Sequence, residues 1–515
     1  MRQFEMCELV FAGPALTEEY ASVDLTAEIS CGSDRVSVKG FYAGDGEYKV
    51  RFLPKTAGTY VYHVSGCITA SGTAEVAPGE GHGMVVAKGQ HFSYEDGTVY
   101  HPFGTTVYAL AHQNDELVEE TIETLSKAPF NKIRLCLFPK HYDYNHNEPK
   151  YYAFEKKEDG SWDVNRPCLA FWDDFEAKMC RLGEMGIQVD LILFHPYDRW
   201  GFAKLSQKDN LTYLDYLLRR FAAYPFFWWS LANEYDLCRP YKTTKDFEEI
   251  EQFVAENDPY HHLLSNHNCF APWDFSRPAI THTCYQIKMM HHIPDWYRQF
   301  QKPVVVDECC YEGNLPQQWG CISGEEMVSR FWTTVVSGGY CTHGETFLDP
   351  ENEVVWWAKG GRLTGKSPER IGFLKDFVYS LPGYIEPADA QDPIQQMLKA
   401  SPQELEAMDA KLPEEQSTFA QAIARMSTVE HETLVGGEYV GRGKVGEQVY
   451  LLYLGNFCPA LYPIDLPKEH TYRVEVIDTW EMTRTTVLTG VSGNQVMVPL
   501  PGKIHMAIAA FAEEA

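Results

Sequence analysis

Between residues 91 and 383 the sequence repeats one pattern eight times: a short apolar run, then a longer stretch of mixed polarity. The runs fall at 103–109, 131–138, 188–194, 226–232, 263–266, 280–285, 303–306 and 339–342. Among the intervening stretches, 117–127, 172–185 and 213–224 carry apolar residues at helical spacing. A strand covered by helices on both faces of a parallel sheet reads as a continuous apolar run, as these do. The expected class is therefore α/β. Eight evenly spaced units in roughly 290 residues favour closure into a (β/α)8 TIM barrel over the alternative, a doubly wound sheet.

The flanks read differently. Residues 22–29, 36–41, 48–52 and 58–64 alternate polar and apolar side chains, with turn clusters such as Ala43-Gly44-Asp45-Gly46 between them. They predict an N-terminal β-sandwich over 1–90, with 78–83 as its exit linker. Residues 384–428 are polar and helical in pattern at 392–399, 402–410 and 416–426. Strand-like runs return at 448–454, 471–478, 485–488, 495–498 and 504–511, with turns expected at Gly437, Gly441 and Gly490. The expected partition is 1–90, a barrel over 91–383, and 384–515 as helical connector and C-terminal β-sandwich.

Charge narrows the partners. Forty-four basic residues against 72 acidic ones give a net charge of −28, with no basic stripe. Such a chain repels nucleic acid and anionic membranes, so neither is expected as a partner. Neutral ligands stay open, and the 14% aromatic content suits flat, half-polar ones such as sugars. The first residues lack a basic segment followed by an apolar run, and the 14 cysteines form no CxxC pair. A reducing, cytoplasmic setting is the expectation. A homo-oligomer is left open.

In a barrel, reacting groups sit at the C-terminal ends of strands. The fourth run ends Trp228-Trp229-Ser230-Leu231-Ala232-Asn233-Glu234, and the seventh Val304-Val305-Val306-Asp307-Glu308. Two carboxyl groups facing one another across a barrel mouth can flank a glycosidic bond, one protonating the leaving oxygen and the other attacking the anomeric carbon. Strand alternation allows only one of Asp307 and Glu308 to face that mouth.

These residues resemble those of retaining glycoside hydrolases of clan A. Phe103-Gly104-Thr105-Thr106-Val107-Tyr108-Ala109, Phe194-His195-Pro196-Tyr197-Asp198-Arg199-Trp200-Gly201 and Asp307-Glu308-Cys309-Cys310-Tyr311-Glu312-Gly313 are similar to the apiosidase-like branch, which takes in chains assigned as cellulases. Residues 40–46 resemble its Ig-like N-terminal module, and 476–480 its C-terminal sandwich. The resemblance implies Glu234 as acid/base, Glu308 as nucleophile, and Asn233 on the sugar hydroxyl beside the anomeric carbon. It further implies Arg134 as the cation that keeps Glu308 ionised and Tyr285 as its hydrogen-bond donor, with pentose or furanoside substrates such as apiosides or arabinosides. The clan's strand-eight tryptophan is missing. Cys341-Thr342-His343-Gly344-Glu345 stands there, and Trp356-Trp357 follows.

Further sugar contacts are expected from His195, Asp198 and Trp200 after the third strand, from His343, and from Trp356 or its neighbour Trp357. His267 ends the fifth strand. No cofactor is expected, and the spacings of His261-His262, His267 and His291-His292 match no metal-ligand pattern. Residues 360–367 satisfy the phosphate-loop pattern, but they follow the apolar strand with terminal Asp that should come after them. The expected function is a retaining hydrolase of small glycosides or oligosaccharides. The alternatives are a non-catalytic carbohydrate-binding protein and an endo-acting, glucanase-like hydrolase.

Overall fold

Eight short strands build one sheet: β1 (Phe103–Thr106), β2 (Lys132–Cys136), β3 (Gln188–Phe194), β4 (Phe227–Ala232), β5 (Leu264–Ser265), β6 (Tyr285–Gln286), β7 (Val305–Glu308) and β8 (Tyr340–His343). The computed structural model describes residues 1–349, 351, 353–389, 396–397, 400–410, 414–437 and 439–513. The sheet order is β5-β4-β3-β2-β1-β8-β7-β6, so the first and last strands are neighbours. Neighbours β1–β2, β2–β3, β3–β4, β4–β5 and β6–β7 run parallel. At the seam, Thr281 N donates to Leu264 O at 2.9 Å and Ser265 Oγ to His282 O at 2.7 Å, stitching β5 to the approach of β6. The sheet thus curls into a (β/α)8 barrel. Every residue of β2, β3 and β4 is buried, which is why these strands read as unbroken apolar runs.

The helices are α1 (Asp115–Lys127), α2 (Leu169–Glu184), α3 (Gln207–Phe221), α4 (Thr244–Asn257), α5 (Ile293–Phe300), α6 (Gly324–Val336), the single turn α7 (Trp356–Lys359) and α8 (Ser367–Tyr379). The side chains of Asn114, Ser206, Thr243 and Ser323 accept backbone N–H groups in the first turns of α1, α3, α4 and α6. Each satisfies a donor that the helix itself leaves unpaired.

The chain divides into two compact units. The first holds residues 1–286, 305–321 and 342–365, and the second holds 287–304, 322–341 and 366–515. In the first, strands Cys7–Ala12, Glu47–Phe52 and Phe41–Gly44 form one antiparallel sheet, and Asp34–Lys39, Leu25–Cys31, Gly58–Gly66 and Ala70–Val76 another. Val50 and Phe52 of one meet Leu25, Ile29 and Val64 of the other in a shared core. The edge strands Cys7–Ala12 and Ala70–Val76 were not expected from the pattern. Arg51 ties this module to the barrel helices through Glu176, at 2.7 Å, and the Arg220 carbonyl, at 2.8 Å.

In the second unit a six-stranded sheet runs from Glu386–Pro387 to Thr483–Val491, and Leu461–Leu466 pairs with Gly493–Pro499. Ile464, Val498, Tyr472 and Ile508 share its core. Gly441, expected in a turn, instead opens a strand, Gly441–Val445. A Cβ on Gly443 would stand 2.2 Å from Val336 O, so this strand uses glycine for close approach rather than for turning. Most of the expected helix at 392–399 lies outside the described residues.

Candidate active site

The floor of the barrel is a closed set of charges. On β2, Lys132 and Arg134 are two residues apart, so both point inward. Lys132 Nζ lies 2.6 Å from Asp307 Oδ1 and 2.9 Å from Asp190 Oδ2. Arg134 stands 3.6 Å from Asp307 and 3.7 Å from Asp190. Thr342 Oγ1 and Cys284 Sγ also donate to Asp307, at 2.7 and 2.9 Å. Burial opposes ionisation of Asp307, but Lys132 and Arg134 outweigh it and hold the carboxyl below the ordinary range. The ion pairs of Arg134 among the described residues are therefore with Asp190 and Asp307, one layer beneath Glu308.

The next residue leaves this layer. In the pairing of β6 with β7, Tyr285 faces Val306 and Gln286 faces Glu308, so Asp307 is an extra residue on its strand. Such a bulge breaks the alternation expected of neighbours. Asp307 and Glu308 both face inward, at different depths, which corrects the expectation that only one could. Tyr108, just past β1, donates its hydroxyl to Glu308 Oε1, and the same hydroxyl oxygen stands 2.9 Å from Asn233 Oδ1. Burial pushes the Glu308 carboxyl up to about 8, and the Tyr311 hydroxyl opposes that rise.

Glu234 sits in the left-handed region, φ 51°, where β4 breaks into a single turn of helix. A non-glycine residue held there is strained, a cost that clusters at functional sites. Its backbone N–H donates to His267 Nδ1 at 3.2 Å. His267 is buried and neutral, so its proton is on Nε2, which stands 3.9 Å from Glu308 Oε1. Tyr197 donates its hydroxyl to Glu234 Oε2, and Asn233 Nδ2 donates to the same oxygen at 3.2 Å. With its amide oriented to avoid oxygen facing oxygen, Gln286 donates to Glu234 Oε1 and Glu308 Oε2, both at 3.2 Å. One nitrogen thus touches both carboxyl groups.

An aromatic wall adjoins the pair. Trp357 contacts the rings of Tyr108, Tyr142, Tyr311 and Trp319 at centroid distances of 4.9–5.5 Å. Lys140 lies in the same cluster, its ammonium over the rings of Tyr108, Tyr142 and Trp357 and over that of Tyr197 beside them.

Other expected residues are distributed around this centre. Tyr285 packs edge-on against Phe275 at 4.8 Å, while its neighbour Gln286 meets the carboxyl pair. His195 Nε2 donates to Phe138 O at 3.1 Å, and burial lowers its pKa to about 3. Asp198 accepts the N–H groups of Trp200, Gly201 and Ala203, at 2.6–3.1 Å, and so shapes its own loop. Trp200 is half-buried and donates to Glu148 at 2.8 Å. Trp356 turns its Nε1–H inward to Thr105 Oγ1, at 3.0 Å, which leaves Trp357 to line the aromatic wall. His343 Nδ1 bonds the same Thr105 oxygen at 3.1 Å, and its ring stacks on Phe130.

Glu312, His343 and Glu345 bring ligand-type atoms within 4.8 Å of one another, as do His291, His292 and Glu432. Glu345 also explains the phosphate-loop pattern. The backbone N–H groups of Thr364 and Gly365 donate to its carboxyl oxygens at 2.6 and 2.9 Å, so the loop cradles an acidic side chain of its own chain.

The family profile described as an apiosidase-like catalytic domain matches residues 86–367. The chain belongs to that family. Membership makes it a glycosidase. Two domains of unknown function, DUF5060 and DUF5605, match residues 1–66 and 439–510. A solved Bacteroides vulgatus protein assigned as a glycoside hydrolase is 31% identical, covering 99% of each chain with a TM-score of 0.85. A glycoside hydrolase family 5 structure from the same organism shares the fold at 12% identity, with a TM-score of 0.59 over 84% of this chain and 94% of its own. No curated protein sequence matches the glycosidase. Among the described residues no helix is long and apolar enough to cross a membrane.

Proposed function

We propose that the glycosidase retains anomeric configuration, with Glu308 as nucleophile and Glu234 as acid/base. The observation that carries this reading is the Gln286 nitrogen, 3.2 Å from an oxygen of each carboxyl group. The facing oxygens are separated by no more than twice that distance. Such a gap suits attack by one carboxylate on a sugar held between the two, whereas an inverting pair needs room for a separate water. Glu234 gives its proton to the glycosidic oxygen as that bond to the anomeric carbon breaks, and a Glu308 oxygen bonds the carbon. Glu234 then takes a proton from water, whose oxygen displaces Glu308 and releases the sugar.

The proton must be on Glu234 when attack begins. Burial instead favours it on Glu308 below about pH 8. The donors aimed at Glu308, from Tyr108, Tyr311 and Gln286, favour its ionised form and draw the balance back. Asn233 Nδ2 is the donor for the neighbouring sugar hydroxyl, and Trp357 with Tyr142 and Trp319 supplies the stacking surface. Trp200 extends that surface at the rim. His195, Asp198, Tyr285, His343 and Trp356 hold the loops and rings that shape the pocket. Small pentosides or furanosides, such as apiosides and arabinosides, are the proposed substrates. The thiol-rich composition suits a reducing compartment and hence imported glycosides.

A panel of 4-nitrophenyl pyranosides and furanosides of both anomers, followed by proton NMR of the first-formed product, tests this. Retention is expected. An inverted first product would overturn the double displacement.

A further inference from the structure

We propose that Lys140 is the positioning residue of the carboxyl pair, a single cation that braces both tyrosines through which Glu308 and Glu234 are held. This rests on the reading of the pair given above.

Lys140 is 2% exposed. Its ammonium stands 3.6 Å from the ring centroid of Tyr108 and 4.4 Å from that of Tyr197, with Tyr142 at 4.5 Å and Trp357 at 5.1 Å. No carboxylate pairs with it among the described residues. A buried cation with no carboxylate in direct contact is costly, and here ring faces supply the close contacts. Those rings are not arbitrary. Tyr108 donates its hydroxyl to Glu308, and Tyr197 donates its hydroxyl to Glu234. A cation over a phenol draws electron density from the ring, strengthens the O–H as a donor and restricts rotation of the ring. One ammonium therefore acts on both carboxyl groups through two separate arms. Sealed from solvent, it does not touch the sugar.

The charged and titratable groups that face Lys140 besides the rings are Glu234, Arg134, Cys136, His195 and His267. Burial lowers its own pKa to about 8. Of the facing groups, both histidines stay neutral at working pH, so the charges that act on it are Glu234, which favours the ammonium, and Arg134, which opposes it.

The test follows the ionisation of Glu308 in the ligand-free full-length enzyme by infrared difference titration of the protonated carboxyl stretch, assigned by its loss in Glu308→Gln. In Lys140→Met the Glu308 midpoint should rise by about half a unit or more, because the Tyr108 hydroxyl that holds the carboxylate becomes a weaker donor. Lys140→Gln serves the same comparison if the methionine variant does not fold, and Lys140→Arg, which keeps the charge, should stay near wild type. A folded Met or Gln variant with the wild-type midpoint would overturn the proposal. So would an Arg variant shifted as far as the neutral ones. Covalent trapping on a residue other than Glu308 would instead overturn the roles of the pair, and would leave this titration standing.

Discussion

Asp307 and Glu308 are consecutive on β7 and almost equally withdrawn from water, at 0% and 8% exposure, yet their surroundings drive them in opposite directions. Asp307 meets Lys132 and Arg134 and is held ionised. Glu308 meets hydroxyls, an amide and a neutral imidazole, and burial raises it to about 8. A fully paired charge contributes to holding the barrel together and does no chemistry. A carboxyl surrounded by neutral donors can gain and lose a proton, or bond a carbon, without leaving a cation stranded. The bulge between β6 and β7 makes both environments available to adjacent residues.

Substituting either residue tests that contrast. Glu308→Gln should lower kcat by at least about 10³-fold while leaving the fold intact, checked by steady-state rates beside thermal unfolding. Asp307→Asn should do the reverse, destabilising the protein by roughly 3–5 kcal/mol because Lys132 and Arg134 lose a buried partner. Urea unfolding measures that loss. Comparable unfolding midpoints for the two variants would erase the distinction.

The two residues should also give stability opposite pH slopes. The raised pKa of Glu308 means that the folded state binds its proton more tightly than the unfolded chain. Its contribution is present below the unfolded value of 4.5 and is lost as pH rises to about 8. Asp307, held below 3.8, contributes above that value and loses the contribution as pH falls below it. Glu308→Gln should therefore flatten the decline between those two pH values, by on the order of a few kcal/mol in urea-derived stability. The smallest effects are expected from the arms. Tyr108→Phe and Tyr197→Phe each remove one hydroxyl donor to a carboxyl group and should cost about ten- to hundredfold in kcat/KM.

Much of this was legible in the sequence because burial on both faces leaves unbroken apolar runs, and because chemistry in barrels sits where such runs stop. Asn233-Glu234 and Asp307-Glu308 stood out on that ground alone. The partners of a strand residue across the barrel depend on depth, which no periodicity encodes, so Arg134 was expected beside Glu308 and lies beside Asp307. The bulge at Asp307 breaks the alternation on which the choice between neighbours rested. A similar one-residue difference separates Tyr285 from Gln286, and Trp356 from Trp357. Tyr108 and Tyr197 were within the family-like stretches without a role. Lys140 lies past β2 in a loop, where only packing brings four rings around it.

In the proposed mechanism Glu308, and not Glu234, bonds the sugar. The direct measurement is to inactivate the enzyme with the 2-deoxy-2-fluoro analogue of a glycoside it cleaves, then locate the added mass among its peptides. A covalent sugar on Glu308 is expected. Attachment to Glu234, or inactivation without any attached sugar, would contradict it.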